Sequence, residues 1–270
     1  MNREPAGSEP GWNTGGHADF YDRCEAQSAG VAALERFAAI QAAVMRALGA
    51  PTRPLNVADI GCGAGTQSRL WASAGHRVAG ADINAALITL ARRRALEAGQ
   101  EIRFELASAT ALPWPERSMD LCLAPGLLEH VDDWRACLAE MARVLRPGGA
   151  LYLSTNNKLC PLQDAFALPL YAWYPGWLKR RCVRLARTTR PSLAGHATYP
   201  ALNWFTYYGL RADLARHGMD SLDRFDMIDP RRLRRFQRPA FALLRALPPL
   251  RFCAHVLTPC TALLAFKRPA

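Results

Sequence analysis

The segment ADIGCGAGT puts an acidic residue, Asp59, two positions before the first of three glycines at alternate positions, Gly61, Gly63 and Gly65. Glycines at that spacing let a backbone turn tightly and lie against a flat or polar ligand. Asp82 closes a second apolar run, HRVAGAD, where a carboxylate offers two acceptor oxygens to the hydroxyls of a ribose. A third stretch, LLEHVDD, brings Glu129 and His130. Histidine titrates near neutrality and can take a proton from an acceptor group. The plainer alternatives are capping for the two aspartates and Glu129, and a structural place for His130.

The ligand class follows from what the turn lacks. A nicotinamide-binding G-x-G-x-x-G would need glycine at the sixth position, where this chain has Thr66. An acid directly before the turn suits a cationic amino-acid portion better than a pyrophosphate. Two acids at adjacent strand ends and no phosphate-binding lysine fit S-adenosylmethionine better than a dinucleotide.

These residues need strand ends and helix starts to hold them. Leu34, Phe37, Ile40, Val44 and Leu48 have helical spacing, and Gly49 and Pro51 stop that run. Then LNVADI, HRVAGAD, EIRFELA, MDLCLAP and GALYLST read as strands, with helices from TQSRLWASA, NAALITLARRRALEAG and DDWRACLAEMARVLR between them. Such alternation predicts an α/β fold with a largely parallel sheet, helices on both faces and right-handed crossovers. After Thr155 come an aromatic and basic segment, a helix over 204–217, a strand over 219–227, a basic helical insert and a last strand, TALLAFKR. The expected organisation is a tail with a covering segment over 1–28, a binding core over 29–155, a lid over 156–202 and sheet completion over 203–270.

Charge divides the chain of 270 residues unevenly. Residues 1–164 hold 16 Lys/Arg and 18 Asp/Glu; residues 165–270 hold 18 and 5. No acid occurs between Asp164 and Asp213, a span with 10 of the 24 aromatics, LYAWYPGWLKRR among them. That half is expected to meet something anionic or amphipathic. Its aromatics cluster apart from its arginine runs, so nucleic acid is disfavoured against a substrate lid or a foot on an anionic membrane surface. The Arg92–Arg94 run reads as a solvated helix face. The eight cysteines form no CxxC or Cys/His grouping, so neither zinc nor a disulfide framework is expected. The N-terminus has no apolar signal core, and prolines and cations interrupt the most apolar tract, Pro239 to Phe266. A cytoplasmic protein, peripheral at most, is the expectation.

VADIGCGAGT, VAGADINAALITLAR, ALPWPERSMDLCLAPGLLEHVDD and EMARVLRPGGALYLST, in this order and spacing, resemble the class I S-adenosylmethionine-dependent methyltransferases, in particular the ubiquinone-biosynthesis-type subgroup. The resemblance covers Asn56 to about Thr155. It implies a Rossmann-like seven-stranded sheet of order 3-2-1-4-5-7-6 with strand 7 antiparallel, and a lid after strand 5. It implies Asp59, Gly61 and Gly63 at the methionine part, Asp82 at the ribose, and Ile83 against the adenine. Ser108 and Ala109 would lie at the adenine edge, Ala124 on the sulfonium side, and Tyr21 over the cofactor. Ser108 departs from the Asp usual there, and Pro125-Gly126 from a more polar pair. The expected reaction is methyl transfer to a small apolar or lipid-linked acceptor, leaving S-adenosylhomocysteine, with no metal and with His130 as candidate base. An RNA methyltransferase and a non-catalytic S-adenosylmethionine binder are the alternatives. No Asn-Pro-Pro-aromatic tetrad is present, which weakens methylation of base amino groups.

Overall fold

A computed structural model describes residues 30–49, 51–162, 166, 168–193, 201 and 203–269. Tyr21 and the rest of the expected covering segment lie outside these residues. Helix α1 (Val31–Leu48) precedes β1 (Asn56–Ile60), α2 (Thr66–Ser73), β2 (Arg77–Asp82), α3 (Ala85–Glu97) and β3 (Arg103–Leu106). Then follow β4 (Met119–Pro125), α4 (Trp134–Val144), β5 (Leu145–Asn156) and α5 (Gly176–Thr188). The chain closes with α6 (Tyr207–Arg216), β6 (Met219–Asp223), α7 (Arg224–Met227), α8 (Gln237–Ala246), α9 (Pro248–Val256) and β7 (Cys260–Lys267).

The seven strands order as β3-β2-β1-β4-β5-β7-β6. β1 to β5 pair in parallel, and β7 runs antiparallel to both neighbours. Parallel strands bury both faces, which explains their near-continuous apolar runs. In β4, Leu121 and Leu123 face the α1/α2 side with Val44, Val57 and Trp71. Cys122 and Ala124 face the opposite layer with Leu138, Met141, Leu210 and Leu214. This three-layer core fixes where each strand stops, and therefore where the side chains at the carboxyl edge sit.

Two expectations for the last third change. The strand expected over 219–227 ends at Asp223, whose carboxylate accepts from the backbone N–H groups of Phe225 and Asp226 and starts α7 in a capping box with Asp226. The basic insert is two helices, divided at Leu247, because Pro248 and Pro249 can begin a helix but cannot continue one.

The described residues of 156–202 include a small core of their own. Phe166 stacks on Tyr171 with ring centroids 4.2 Å apart, and Cys182 and Ala186 of α5 complete the cluster. Trp173 donates from Nε1 to the Lys158 carbonyl at 2.9 Å, tying this cluster to the exit of β5.

Candidate active site

The glycine turn after β1 is held from β2. Gly61 and Cys62 donate their N–H groups to the Ala81 carbonyl, at 2.8 and 3.1 Å. Gly63 donates to Asp82 Oδ2 at 2.9 Å, while Asp82 Oδ1 accepts from Asn84 N at 2.9 Å. Each carboxylate oxygen keeps a second lone pair, so Asp82 can fix the turn and still accept from a ligand. Burial raises its pKa, and the N–H groups of Asn84, Gly63 and Ile83 oppose that rise.

Glycine is required here for two reasons. Gly61 has φ +72°, and a Cβ there would stand 3.0 Å from Leu127 Cδ1, across the cleft between β1 and β4. Gly65, at φ +76°, leaves room for Phe104 and Ala91, which a Cβ would meet at 2.9 and 3.0 Å. The first keeps the ligand face open, and the second lets α2 start close against α3 and the sheet.

Asp59 is 1% exposed. Its Oδ1 accepts from Gln67 Nε2 at 2.9 Å and its Oδ2 from Ser68 Oγ at 2.5 Å, both on the first turn of α2. Its carboxylate therefore anchors the helix that follows the glycine turn and sets a negative charge beneath that turn. Sequence reasoning missed Gln67 and Ser68, which look like ordinary helix residues until the strand end opposite them is known.

The other expected residues fall along the same edge. Ile83, half-buried, follows Asp82. Ser108 and Ala109, half-buried, follow β3, and Ser108 Oγ lies 2.8 Å from Thr110 Oγ1. Ala124 is fully buried at the end of β4. Glu129 and His130 occupy a single 3-10 turn, Leu128–His130, directly after it. His130 is half-buried, whereas Glu129 is buried. Asn203, also unforeseen, donates its side-chain amide to the carbonyls of Leu128 and Val131, at 3.0 and 2.6 Å. It pins the chain returning from the lid onto this turn. Among the described residues, no group of three or more His, Cys, Asp or Glu side chains could hold a metal ion. A separate hollow of about 610 Å³, lined by Gln41, Met45, Arg53 and His76, contains none of these residues.

Two buried acids make stability pH-dependent. Burial pushes Asp59 up to about 6, against the hydrogen bonds from Ser68 and Gln67, and Asp82 adds to the rise. Burial likewise pushes Glu129 up to about 7, opposed by its own backbone N–H and the Thr155 hydroxyl. Both folded-state values lie above the unfolded ones. The folded state then binds more protons between about pH 4 and 7, and stability is lost as pH rises through that window. Denaturant titrations should show this decline, and Glu129→Gln should remove on the order of 1–3 kcal/mol of it. An unchanged pH slope in the variant would show that Glu129 does not titrate with folding.

A glycine turn pinned by one acid, above a second, at the carboxyl edge of a 3-2-1-4-5-7-6 sheet narrows the family. Residues 58–153 match the model described as "Methyltransferase domain". Residues 58–153 thus carry a methyltransferase domain. The chain is 36% identical over 143 residues to the ubiquinone biosynthesis O-methyltransferase of Chelativorans sp. (strain BNC1), covering 52% of this chain and 55% of that protein. It is 36% identical over 110 residues to the malonyl-[acyl-carrier protein] O-methyltransferase of Serratia marcescens, covering 40% and 42%. The chain thus spans about half the length of the curated relatives it matches. An S-adenosylmethionine-dependent methyltransferase from Mesorhizobium loti shares the fold at a TM-score of 0.54 and 20% identity, covering 83% of this chain and 96% of that one. The sequence likeness to these relatives covers about half of the chain or less, while the fold likeness extends over most of it.

Proposed function

We propose that this chain binds S-adenosylmethionine at the β1/β2 edge and transfers its methyl group to a small, apolar or lipid-linked acceptor, with a hydroxyl as the acceptor group. The observation that carries the reading is Asp82, whose carboxylate holds the Gly63 N–H and keeps free lone pairs at the rim of the turn. Bound there, S-adenosylmethionine supplies an electrophilic methyl on a sulfonium. The residues present fit it: Gly61 leaves the turn open toward Leu127, Asp82 accepts from ribose hydroxyls, and Ile83 offers an apolar face. Ser108 and Ala109 stand where an adenine edge would lie, and Asp59 places a negative charge under the cationic amino-acid portion.

Transfer from a sulfonium needs alignment above all, with the acceptor atom about 3 Å from the methyl on the far side of the sulfur. The described residues of 156–202 that follow β5 leave the sheet at this edge and stand on the acceptor's side of the site. Their aromatic content and the scarcity of acids suit an apolar acceptor with an anionic group. His130, beside the same edge, is the candidate to take the hydroxyl proton. The curated relatives named for ubiquinone biosynthesis and for malonyl-acyl-carrier protein support an O-linked methyl group without deciding the acceptor. No observation favours RNA or loss of catalysis.

The test is incubation of the chain with methyl-labelled S-adenosylmethionine and a total lipid and metabolite extract. The expected product is label in a small organic-soluble molecule, reduced in Asp82→Ala at limiting S-adenosylmethionine. Label in RNA, or S-adenosylhomocysteine binding without turnover on any acceptor pool, would overturn the reading.

A further inference from the structure

We propose that the α8–α9 arm, and not the lid, is the element by which the chain docks on an anionic lipid surface. The arm spans 230–256, with seven arginines and no acidic residue. Its base is rigid. On α9, His255 Nε2 lies 2.8 Å from Asp223 Oδ2, Arg251 Nε donates to the same oxygen at 2.6 Å, and Arg251 also pairs with Asp226. His255 stacks on Tyr207, and the Asn157 amide donates to the His255 carbonyl at 2.6 Å. Asn157 follows β5, so the arm stands at the carboxyl edge of the sheet.

Away from that base the arm has little to pack on. Helix α8 has no buried residue, and an isolated ten-residue helix is marginal in water. Phe236 is 72% exposed, Leu243, Leu247, Leu250 and Phe252 are exposed as well, and Leu257, just past the arm, is 74% exposed. Arg231, Arg232, Arg234, Arg235 and Arg238 form no ion pair among the described residues. Large apolar side chains interspersed with arginines on short amphipathic helices match the boundary between headgroups and acyl chains. A second copy of this chain would bring five further unpaired arginines against these five. The apolar side chains spread along both helices, and a bilayer needs no groove to receive them. The lid competes less well, because its Phe166 and Tyr171 are already buried in its own core and leave Trp173 and Trp177 exposed. No helix among the described residues is long and apolar enough to cross a membrane, so the contact proposed is interfacial.

Flotation of the full chain with phosphatidylglycerol–phosphatidylcholine vesicles tests this. Binding is expected at low salt, with release at high salt and none to phosphatidylcholine alone. Each cation near an anionic surface contributes roughly fivefold, so R234E/R235E/R238E should weaken binding by about a hundredfold or more. L243S/F252S should also weaken it, whereas W173A/W177A should leave it unchanged, with melting curves confirming that each variant folds. Asp82→Ala should still float, which separates this surface from the methyl-transfer reading. Absence of flotation, or loss in the W173A/W177A variant with the arm variants unaffected, would overturn the proposal. So would vesicle-independent dimerisation abolished by L243S, or tight binding to an acidic protein with no vesicle binding.

Discussion

Asp82→Ala should weaken S-adenosylmethionine binding by about 1.5–3 kcal/mol, roughly 10- to 150-fold, from the loss of hydrogen bonds to a charged acceptor. Two contributions add. The substitution removes the acceptor offered to the ribose, and it releases the Gly63 and Asn84 N–H groups, which Asp82 holds at 2.9 Å each. The glycine turn would then lose one of its two attachments to β2, the Ala81 carbonyl remaining the other. Asp82→Asn keeps one acceptor oxygen and should lose less. Calorimetry distinguishes the outcomes. Unchanged affinity in Asp82→Ala would remove the β2 end from the site, whatever the fold.

The largest stability effect should come from a residue no sequence motif marks. Asp223 is fully buried at the end of β6. It caps α7 through Phe225 N and Asp226 N and accepts from His255 and Arg251 of α9. Burial alone would raise its pKa, but the hydrogen bonds from His255 and Arg251 outweigh burial and hold it below the usual carboxylate range. Removing one partner of a buried charge network costs about 3–5 kcal/mol, since the other charges lose their compensation. Asp223→Ala should therefore lower unfolding stability by about that much in denaturant titrations. A lowered folded-state pKa gives stability present above the unfolded carboxylate pKa and lost as pH falls below it, a sign opposite to that of Asp59 and Glu129. A change under about 1 kcal/mol would mean that α9 is held by packing and not by this network.

β1, β2 and β4 were legible because each is an apolar run that stops at a glycine turn or an acid, and burial on both faces leaves little choice. Asp59 and Asp82 were legible for the same reason, as acids at strand ends. What Asp59 does locally was hidden: Gln67 and Ser68 reach it only once α2 folds back over β1. β6 misled because Asp223 can continue a strand or cap a helix, and the capping box with Asp226 decides for the helix. Asn157 and Asn203 could not be found at all. Their partners are backbone carbonyls, which carry no residue identity and, for Leu128 and Val131, lie 75 and 72 residues from Asn203. The arm's aromatics and arginines were visible in composition, but only the exposure of α8 separates its side chains from those the lid buries.

A titration of the wild-type chain with S-adenosylmethionine, S-adenosylhomocysteine and NAD in turn tests the central claim most directly. Saturable binding of the first two at one site per chain, and none of the third, is expected. No binding of S-adenosylmethionine or its product, or preferential binding of NAD, would contradict it.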